Sequence, residues 1–204
     1  MRLYKNPTSP FARIAHVALI EAGVDNLDVR VVDQWADPAE LLAVNSAGRV
    51  PCLVLDDGTA IAECLLIAAY TEQLRQAGSD GAAGWDPACL SLTGTALGVC
   101  DAAVQTMIGR RILSGGFQDA SFDGQDLGRK RRRAMIEGLR VVEAALAGRD
   151  AADLDLGLIT AIVALDYVDM RFPAADWIPP TPHLRGLRDR FADRPSLAAT
   201  RPPS

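Results

Sequence analysis

The sequence predicts an α/β unit followed by an all-helical unit, and three observations support this prediction. Short apolar strands alternate with helical stretches as far as residue 76, a pattern typical of mixed α/β units. Residues 77–85 are rich in glycine and small side chains, as linkers are. Beyond them apolar residues recur at helical spacing, with no convincing strand pattern. We therefore predict a first domain at residues 1–76, a linker at 77–85 and a helical domain at 86–204.

The pair Ser9-Pro10 predicts the start of the first helix. A serine hydroxyl can accept a hydrogen bond from an amide of the first turn, and proline fits the first helical position. Apolar residues then recur at three- and four-residue spacing until Gly23, where the helix is expected to end. The other elements predicted in this unit are a strand at 3–4, a strand at 27–31, a short helix at 38–44, a hairpin at 52–62 and a helix at 64–75.

The second unit is predicted to consist of helices separated by glycine and proline. They cover about 87–113, 125–147, 155–171 and 182–191. Residues 158–165 are apolar on nearly every face of their helix, so we expect that helix to be covered on all sides. Asp155 is its expected N-cap residue.

The composition limits the classes of partner. The chain has 204 residues, 49% of them hydrophobic, and a formal net charge of −5. Binding to nucleic acid or to an anionic membrane requires a basic surface, so an acidic protein argues against either as the main partner. Neither a signal-peptide core nor an apolar run of about 18 residues is visible, so we expect a cytoplasmic protein. The four cysteines lack the close pairing of a zinc site, and we expect no bound metal.

Five short motifs, taken in their order and spacing, resemble those of bacterial cytosolic glutathione S-transferases of the serine type. They are Ser9-Pro10-Phe11-Ala12-Arg13, Asn45-Ser46-Ala47-Gly48-Arg49-Val50-Pro51, Asp57-Gly58, Glu63-Cys64 and Arg194-Pro195-Ser196. The resemblance spans nearly the whole chain. It implies the glutathione S-transferase fold, with a thioredoxin-like first domain that binds glutathione and an all-α domain that supplies most of the second-substrate pocket. It also implies a homodimer that acts in detoxification.

The resemblance implies a catalytic role for Ser9. In serine-type members this hydroxyl donates a hydrogen bond to the sulfur of glutathione and stabilises the thiolate, which attacks a small electrophilic substrate. A free thiol has a pKa of about 8.5, so lowering that pKa raises the attacking fraction at neutral pH. From the residues alone a helix cap is the favoured explanation of Ser9; the resemblance favours the catalytic role, and the two roles are compatible.

Five further positions are predicted to bind glutathione by the same resemblance: Arg49, Val50, Pro51, Glu63 and Cys64. The Val50-Pro51 bond is expected to be cis, with the Val50 backbone pairing with the cysteinyl part of the tripeptide. Arg49 would approach the glycyl carboxylate, although a plain surface arginine explains it as well. Glu63 would take the γ-glutamyl ammonium, and the Cys64 amide the γ-glutamyl carboxylate. The family usually has serine where Cys64 stands, so the carboxylate bond is expected to be weaker.

Two other functions remain open from the sequence. Cys64 near a helix N-terminus is a candidate reactive thiol, which would make the chain a glutathione-dependent thiol-disulfide oxidoreductase. A small buried residue explains Cys64 equally well. The chain could also be a non-catalytic glutathione-binding or scaffold protein with the same fold. The identity of the electrophile cannot be read from the sequence.

Overall fold

The computed structural model describes residues 1–77, 85–149 and 153–203. The predicted linker at 77–85 therefore lies almost entirely outside the described residues. The described residues fall into two compact units, one within Met1–Asp86 and Ala192–Ser204, the other within Pro87–Phe191. The predicted helical domain ran to residue 204, so the structure differs from the prediction at the C-terminal end.

A four-stranded sheet forms the centre of the first unit. The strand order is β2-β1-β3-β4, with β1 parallel to β2 and antiparallel to β3. The hairpin β3–β4 was predicted from its Asp-Gly turn, and it is antiparallel. The strands are β1 (Arg2–Lys5), β2 (Asp28–Val31), β3 (Cys52–Val54) and β4 (Ala60–Ala62); the helices are α1 (Pro10–Glu21), α2 (Ala39–Leu42) and α3 (Cys64–Ala77).

Strand β2 is exposed. Its sequence alternates Val29 and Val31 with polar residues, and all four residues of the strand are exposed. Val31 exposes 63% of its surface. β2 is the edge strand of the sheet, next to β1 alone. An alternating pattern shows which residues share a face of the sheet, but it does not show what covers that face.

The C-terminal segment belongs to the first unit because polar contacts anchor it to α1. The Glu21 carboxylate accepts hydrogen bonds from Arg194 Nε at 2.8 Å and from Ser196 Oγ at 2.5 Å. The Arg194 hydrogen bond is the main cause that lowers the pKa of Glu21. Buried Arg13 donates from Nε to Thr200 Oγ1 at 3.4 Å. These contacts cross more than 170 residues of sequence, and a short last helix, α8 (Pro195–Ala199), lies between them.

Four helices form the second unit: α4 (Pro87–Ser114), α5 (Asp126–Leu146), α6 (Leu156–Arg171) and α7 (Pro182–Arg190). Helix α6 is buried over most of its length, as its apolar sequence predicted. Asp155 caps it, accepting a hydrogen bond from the Leu158 amide at 2.8 Å. α4 is long and apolar enough to span a membrane by length and composition, a test that buried core helices also pass. α4 packs against both α5 and α6.

The turn that joins α4 to α5 is held by a buried ion pair. Arg110 on α4 donates to the Asp123 carboxylate from Nε at 2.9 Å and from Nη2 at 2.5 Å. Each side chain of the pair exposes only 11% of its surface. Gly109 and Gly128 allow the turn to approach both helices, since a Cβ on either would collide with Phe122.

Candidate functional site

The candidate residues lie in three loops at the same end of the neighbouring strands β1, β3 and β4. Tyr4 pairs with Cys52 across β1 and β3, and Cys52 pairs with Ala62 across β3 and β4. The loop after β1, the loop before β3 and the segment after β4 therefore begin side by side. They contain or border the six predicted residues, Ser9, Arg49, Val50, Pro51, Glu63 and Cys64.

Ser9 is the N-cap residue of α1. Its Oγ accepts a hydrogen bond from the Ala12 amide at 3.2 Å, and Pro10 occupies the first helical position. Ser9 is half-buried. The cap uses a lone pair of the oxygen, so the hydroxyl hydrogen can still be donated to an acceptor in front of the helix. The N-terminus of α1 also favours negative charge at this place.

Asn6 shapes the loop that presents Ser9. Its Oδ1 accepts hydrogen bonds from the Thr8 amide at 3.0 Å and from the Thr8 hydroxyl at 2.9 Å, and its carbonyl accepts from the Ser9 amide at 3.0 Å. Sequence reasoning did not assign this residue. An asparagine two residues before a threonine and three before a capping serine is a turn signal that would have indicated it.

The Val50-Pro51 loop is fixed by packing on one side and by an asparagine on the other. The Val50-Pro51 bond is cis. The Val50 side chain packs against a buried cluster of Tyr4, Val32, Leu41 and Cys52. Asn45, which was not assigned a role from the sequence, donates from Nδ2 to the Arg49 carbonyl at 2.8 Å.

The Val50 backbone is available for pairing. Among the residues that the structure describes, its N–H and C=O have no hydrogen-bond partner. An extended peptide could therefore add to this loop through main-chain hydrogen bonds, as an additional strand adds to a sheet edge.

Glu63 and Arg49 contact one another. Arg49 donates from Nη2 to Glu63 Oε1, and the two side chains expose 70% and 54% of their surface, respectively. An ion pair this exposed contributes about 0–1 kcal/mol, so a charged ligand can replace it at little cost. Glu63 has a φ of +72°, a conformation that costs a non-glycine residue about 1–2 kcal/mol. Such backbone outliers cluster at functional sites.

Cys64 is the first residue of α3, and its side chain is buried, with 5% of its surface exposed. Burial, and to a smaller extent the negative charge of Glu63, raise the pKa of the Cys64 thiol to about 11. Hydrogen bonds from the backbone amides of Cys64 and Leu65 act in the opposite direction. A thiol in this environment stays protonated at neutral pH, which does not favour a redox role.

Alkylation tests the state of Cys64. At pH 8 we expect iodoacetamide to modify it at least about 100-fold more slowly than a free thiol, because only the thiolate reacts. The rate should rise as the pH approaches 11. Glu63→Gln should speed the reaction, since it removes a charge that raises the pKa. Mass spectrometry of the Cys64 peptide gives the rate, with the urea-unfolded chain as the reference. Modification at the free-thiol rate would contradict this prediction and favour the oxidoreductase.

Metal ligation finds no support in the described part of the chain. No group of three or more histidine, cysteine, aspartate or glutamate side chains is placed there to hold an ion. The four cysteines are free thiols, and each is buried.

Comparisons with known proteins agree with this geometry. Residues 8–74, which include all six candidate residues, match the family described as glutathione S-transferase, N-terminal domain. An uncharacterized GST-like protein of Escherichia coli K12, YibF, is 27% identical over 100% of this chain and 99% of its own length.

Two similar solved structures contain a glutathione compound. A glutathione S-transferase of Methylobacterium radiotolerans in complex with glutathione sulfonate has a TM-score of 0.85 and 27% identity, covering 100% of this chain and 95% of its own. A glutathione transferase family member of Pseudomonas fluorescens Pf-5 with bound glutathione has a TM-score of 0.79 and 28% identity, covering 100% and 99%.

The chain therefore has the glutathione S-transferase fold, which confirms the predicted fold class. Its residues 8–74 match the model of the glutathione S-transferase N-terminal domain, and YibF, similar over the whole chain, is GST-like.

Proposed function

We propose that this protein is a glutathione transferase of the serine type, in which Ser9 stabilises the thiolate of glutathione for attack on a small electrophile. The observation that supports this most directly is the placement of Ser9. Its hydroxyl lies at the N-terminus of α1, at the same sheet edge as the other candidate residues, and its cap bond from the Ala12 amide leaves the hydrogen free to be donated. A helix N-terminus and a hydroxyl donor together lower the pKa of a thiol held in front of them.

The remaining candidate residues would hold the tripeptide. The Val50 N–H and C=O pair with the cysteinyl residue of glutathione, and the anchoring of the Val50 side chain keeps this backbone in place. Glu63 accepts the γ-glutamyl ammonium, and the Cys64 amide donates to the γ-glutamyl carboxylate. Arg49 leaves Glu63 and turns to the glycyl carboxylate. On binding, Glu63 thus exchanges the Arg49 guanidinium for the ammonium of glutathione, and Arg49 exchanges the Glu63 carboxylate for the glycyl carboxylate.

The wider setting belongs to the same proposal. We extend it to a cytoplasmic homodimer that acts in detoxification, because the resemblance described from the sequence implies one. The oligomeric state is measured directly by sedimentation equilibrium of the purified chain.

Substitution of Ser9 tests the proposal. Hydrogen bonds to charged groups are worth about 1.5–3 kcal/mol, so Ser9→Ala should raise the pKa of bound glutathione by about one to two units. Ultraviolet absorbance of the thiolate, titrated against pH at saturating glutathione, measures that pKa. Turnover of an electrophile at neutral pH should fall about tenfold to a hundredfold.

Two further variants separate catalysis from capping. Ser9→Thr keeps both the cap and the hydroxyl donor, so the thiolate pKa should stay near that of the wild type. Ser9→Asp keeps the cap but places a negative charge beside the sulfur, so the pKa should rise at least as far as in Ser9→Ala. An unchanged thiolate titration in both Ser9→Ala and Ser9→Asp would remove Ser9 from the mechanism. Glutathione binding without turnover of any electrophile would favour the non-catalytic alternative.

A further inference from the structure

One edge of the sheet in the first unit is open. β2 pairs with β1 alone, and the Asp28 and Val32 amides donate to carbonyl groups in and next to β1 at 3.0 and 2.9 Å. Neighbouring residues of a strand point their backbone groups to opposite sides, so the N–H and C=O groups of Val29 and Val31 point away from β1. In the described part of the chain no hydrogen bond reaches these outward groups. β2 therefore presents main-chain donors and acceptors to which another strand can pair.

The sequence of β2 lacks the features that usually protect an edge strand. Proteins guard such edges with proline, lysine, bulges or a covering element. Residues 27–32 contain no proline, lysine or glycine. Val29 and Val31 expose 36% and 63% of their surface. The two charged residues of the strand, Asp28 and Arg30, have opposite signs, so β2 as a whole does not repel a strand of the same sequence.

We propose that β2 pairs antiparallel with β2 of a second copy of this chain, about a twofold axis that passes through Val29. In this register Asp28 lies opposite Arg30 of the second copy, and Arg30 lies opposite its Asp28. Both ion pairs lie on one face of the joined sheet, because residues two apart in a strand share a face. On the other face Val29 meets its own copy, and Leu27 meets Val31. Two four-stranded sheets would thus become one sheet of about eight strands.

Charge selects this register over its alternatives. Directly opposed residues of an antiparallel pair must both point toward the partner strand or both away from it, so the axis has to pass through a residue. An axis through Asp28 or Arg30 would place two like charges directly opposite each other. An axis through Val31 would place Arg30 opposite Val32 and form no ion pair. Opposite charges stabilise a cross-strand pair and like charges destabilise it, so the axis through Val29 is favoured.

The side chains of β2 can form the new ion pairs with little rearrangement. The Asp28 carboxylate accepts a hydrogen bond from Arg2 Nε at 2.8 Å, and Arg30 Nε lies 3.2 Å from the same carboxylate. Arg30 exposes 52% of its side chain, so turning it to the second copy gives up only a weak contact. Arg2 still holds the Asp28 carboxylate in place. A single strand pair buries a small area, so we expect association to be weak and to depend on concentration.

Single cysteine variants test the register. In the proposed dimer the two Val29 Cα atoms lie about 5.5 Å apart, a separation that a disulfide spans. The two Val31 Cα atoms lie about 14 Å apart, too far for a disulfide. With diamide as the oxidant, which takes up two electrons and two protons from the thiols, Val29→Cys should form the crosslinked dimer at least about tenfold faster than Val31→Cys. Intact-protein mass spectrometry measures both rates.

The same comparison separates the proposed contact from other modes of association. Val31 is the more exposed position, so random collision would crosslink Val31→Cys faster. The four native cysteines are buried free thiols, and the wild type under diamide gives their background. Dimerisation through another face would not favour Val29→Cys. None of the six candidate residues of the glutathione site takes part, so the outcome is independent of the proposed function.

Charge variants in the Val29→Cys chain test the ion pairs. Arg30→Glu and Asp28→Lys each place like charges opposite one another in a symmetric dimer, so each alone should crosslink about tenfold more slowly. An equimolar mixture of the two brings opposite charges together at both positions. The mixture should recover the original rate and give a disulfide heterodimer, which its mass identifies.

Three results would overturn the proposal. Val31→Cys crosslinking as fast as Val29→Cys would exclude the register. Charge variants that crosslink as fast alone as when mixed would remove the ion pairs. Background rates in both cysteine variants would exclude the second copy and leave the edge of β2 to an extended peptide of another protein. Both cysteine variants change exposed side chains only, so the first comparison does not depend on a variant that fails to fold.

Discussion

Replacing Asp123 with alanine is expected to lower the free energy of unfolding by about 3–5 kcal/mol, because it leaves the Arg110 guanidinium buried without its counter-charge. The carboxylate accepts two hydrogen bonds from Arg110, and both side chains are nearly nine-tenths buried. Arg132 Nη2 lies 3.8 Å from the same carboxylate, so the substitution would also remove this second, weaker ion pair of Asp123. Urea denaturation followed by far-ultraviolet circular dichroism measures the change.

Two controls identify the cause of that loss. Glu137→Ala removes the partner of Arg140 in an exposed pair on α5 and should cost no more than about 0.5 kcal/mol. The double variant Arg110→Met/Asp123→Leu replaces the buried pair with apolar side chains and should recover most of the stability. An Asp123→Ala variant as stable as Glu137→Ala would show that the buried pair contributes little.

Replacing Gly128 with alanine is the second change with a large expected effect. Gly128 lies in the first turn of α5, where an added Cβ would overlap the Phe122 carbonyl oxygen and come within 2.8 Å of the Asp123 Cα. Both are backbone atoms, so no side chain can rotate to make room. Overpacking typically costs about 1–3 kcal/mol, and a clash with backbone places this substitution at the upper end of that range. The midpoint of urea unfolding should fall accordingly.

Gly98→Ala is the matched control for this substitution. Gly98 lies within α4, and an added Cβ would meet no atom within 4 Å. Alanine is the better helix former, so this variant should gain about 0.5–1 kcal/mol. Opposite signs for the two glycine variants are the expected result. A Gly128→Ala variant as stable as the wild type would mean that the α4–α5 turn can move away from α5.

Local sequence signals predicted most of the helices because those signals do not depend on the rest of the fold. Ser9-Pro10 and Asp155 both cap helices where the sequence placed them. The apolar run in α6 predicted a buried helix, and its core residues are buried. In both caps the side chain that sets the helix boundary lies three residues from the amide that it binds.

Contacts between distant residues could not be predicted in the same way. The sequence shows no sign that Arg194 and Ser196 would bind Glu21, contacts that connect the C-terminal segment to α1. The Arg110–Asp123 pair is likewise set by the turn between two helices. Charged residues are frequent in any surface sequence, and only the fold selects the pairs that become buried.

The sequence identified the candidate residues of the site, but it did not predict the contacts between them. The resemblance assigned Arg49 and Glu63 to separate parts of the tripeptide, whereas the structure pairs them with each other. The supporting roles of Asn6 and Asn45 were not assigned either. Their hydrogen bonds go to nearby backbone atoms, so such roles can be expected wherever an asparagine borders a site loop.

The Arg49–Glu63 pair also bears on how fast a ligand arrives. Two opposite charges in contact cancel beyond about one Debye length, so the site offers no long-range attraction of its own. The protein carries a net charge of −5, and glutathione is itself a net anion at neutral pH. Glutathione therefore approaches the site without electrostatic steering and is weakly repelled by the net negative charge of the protein. Added salt should speed association slightly, the reverse of its effect on electrostatically guided complexes.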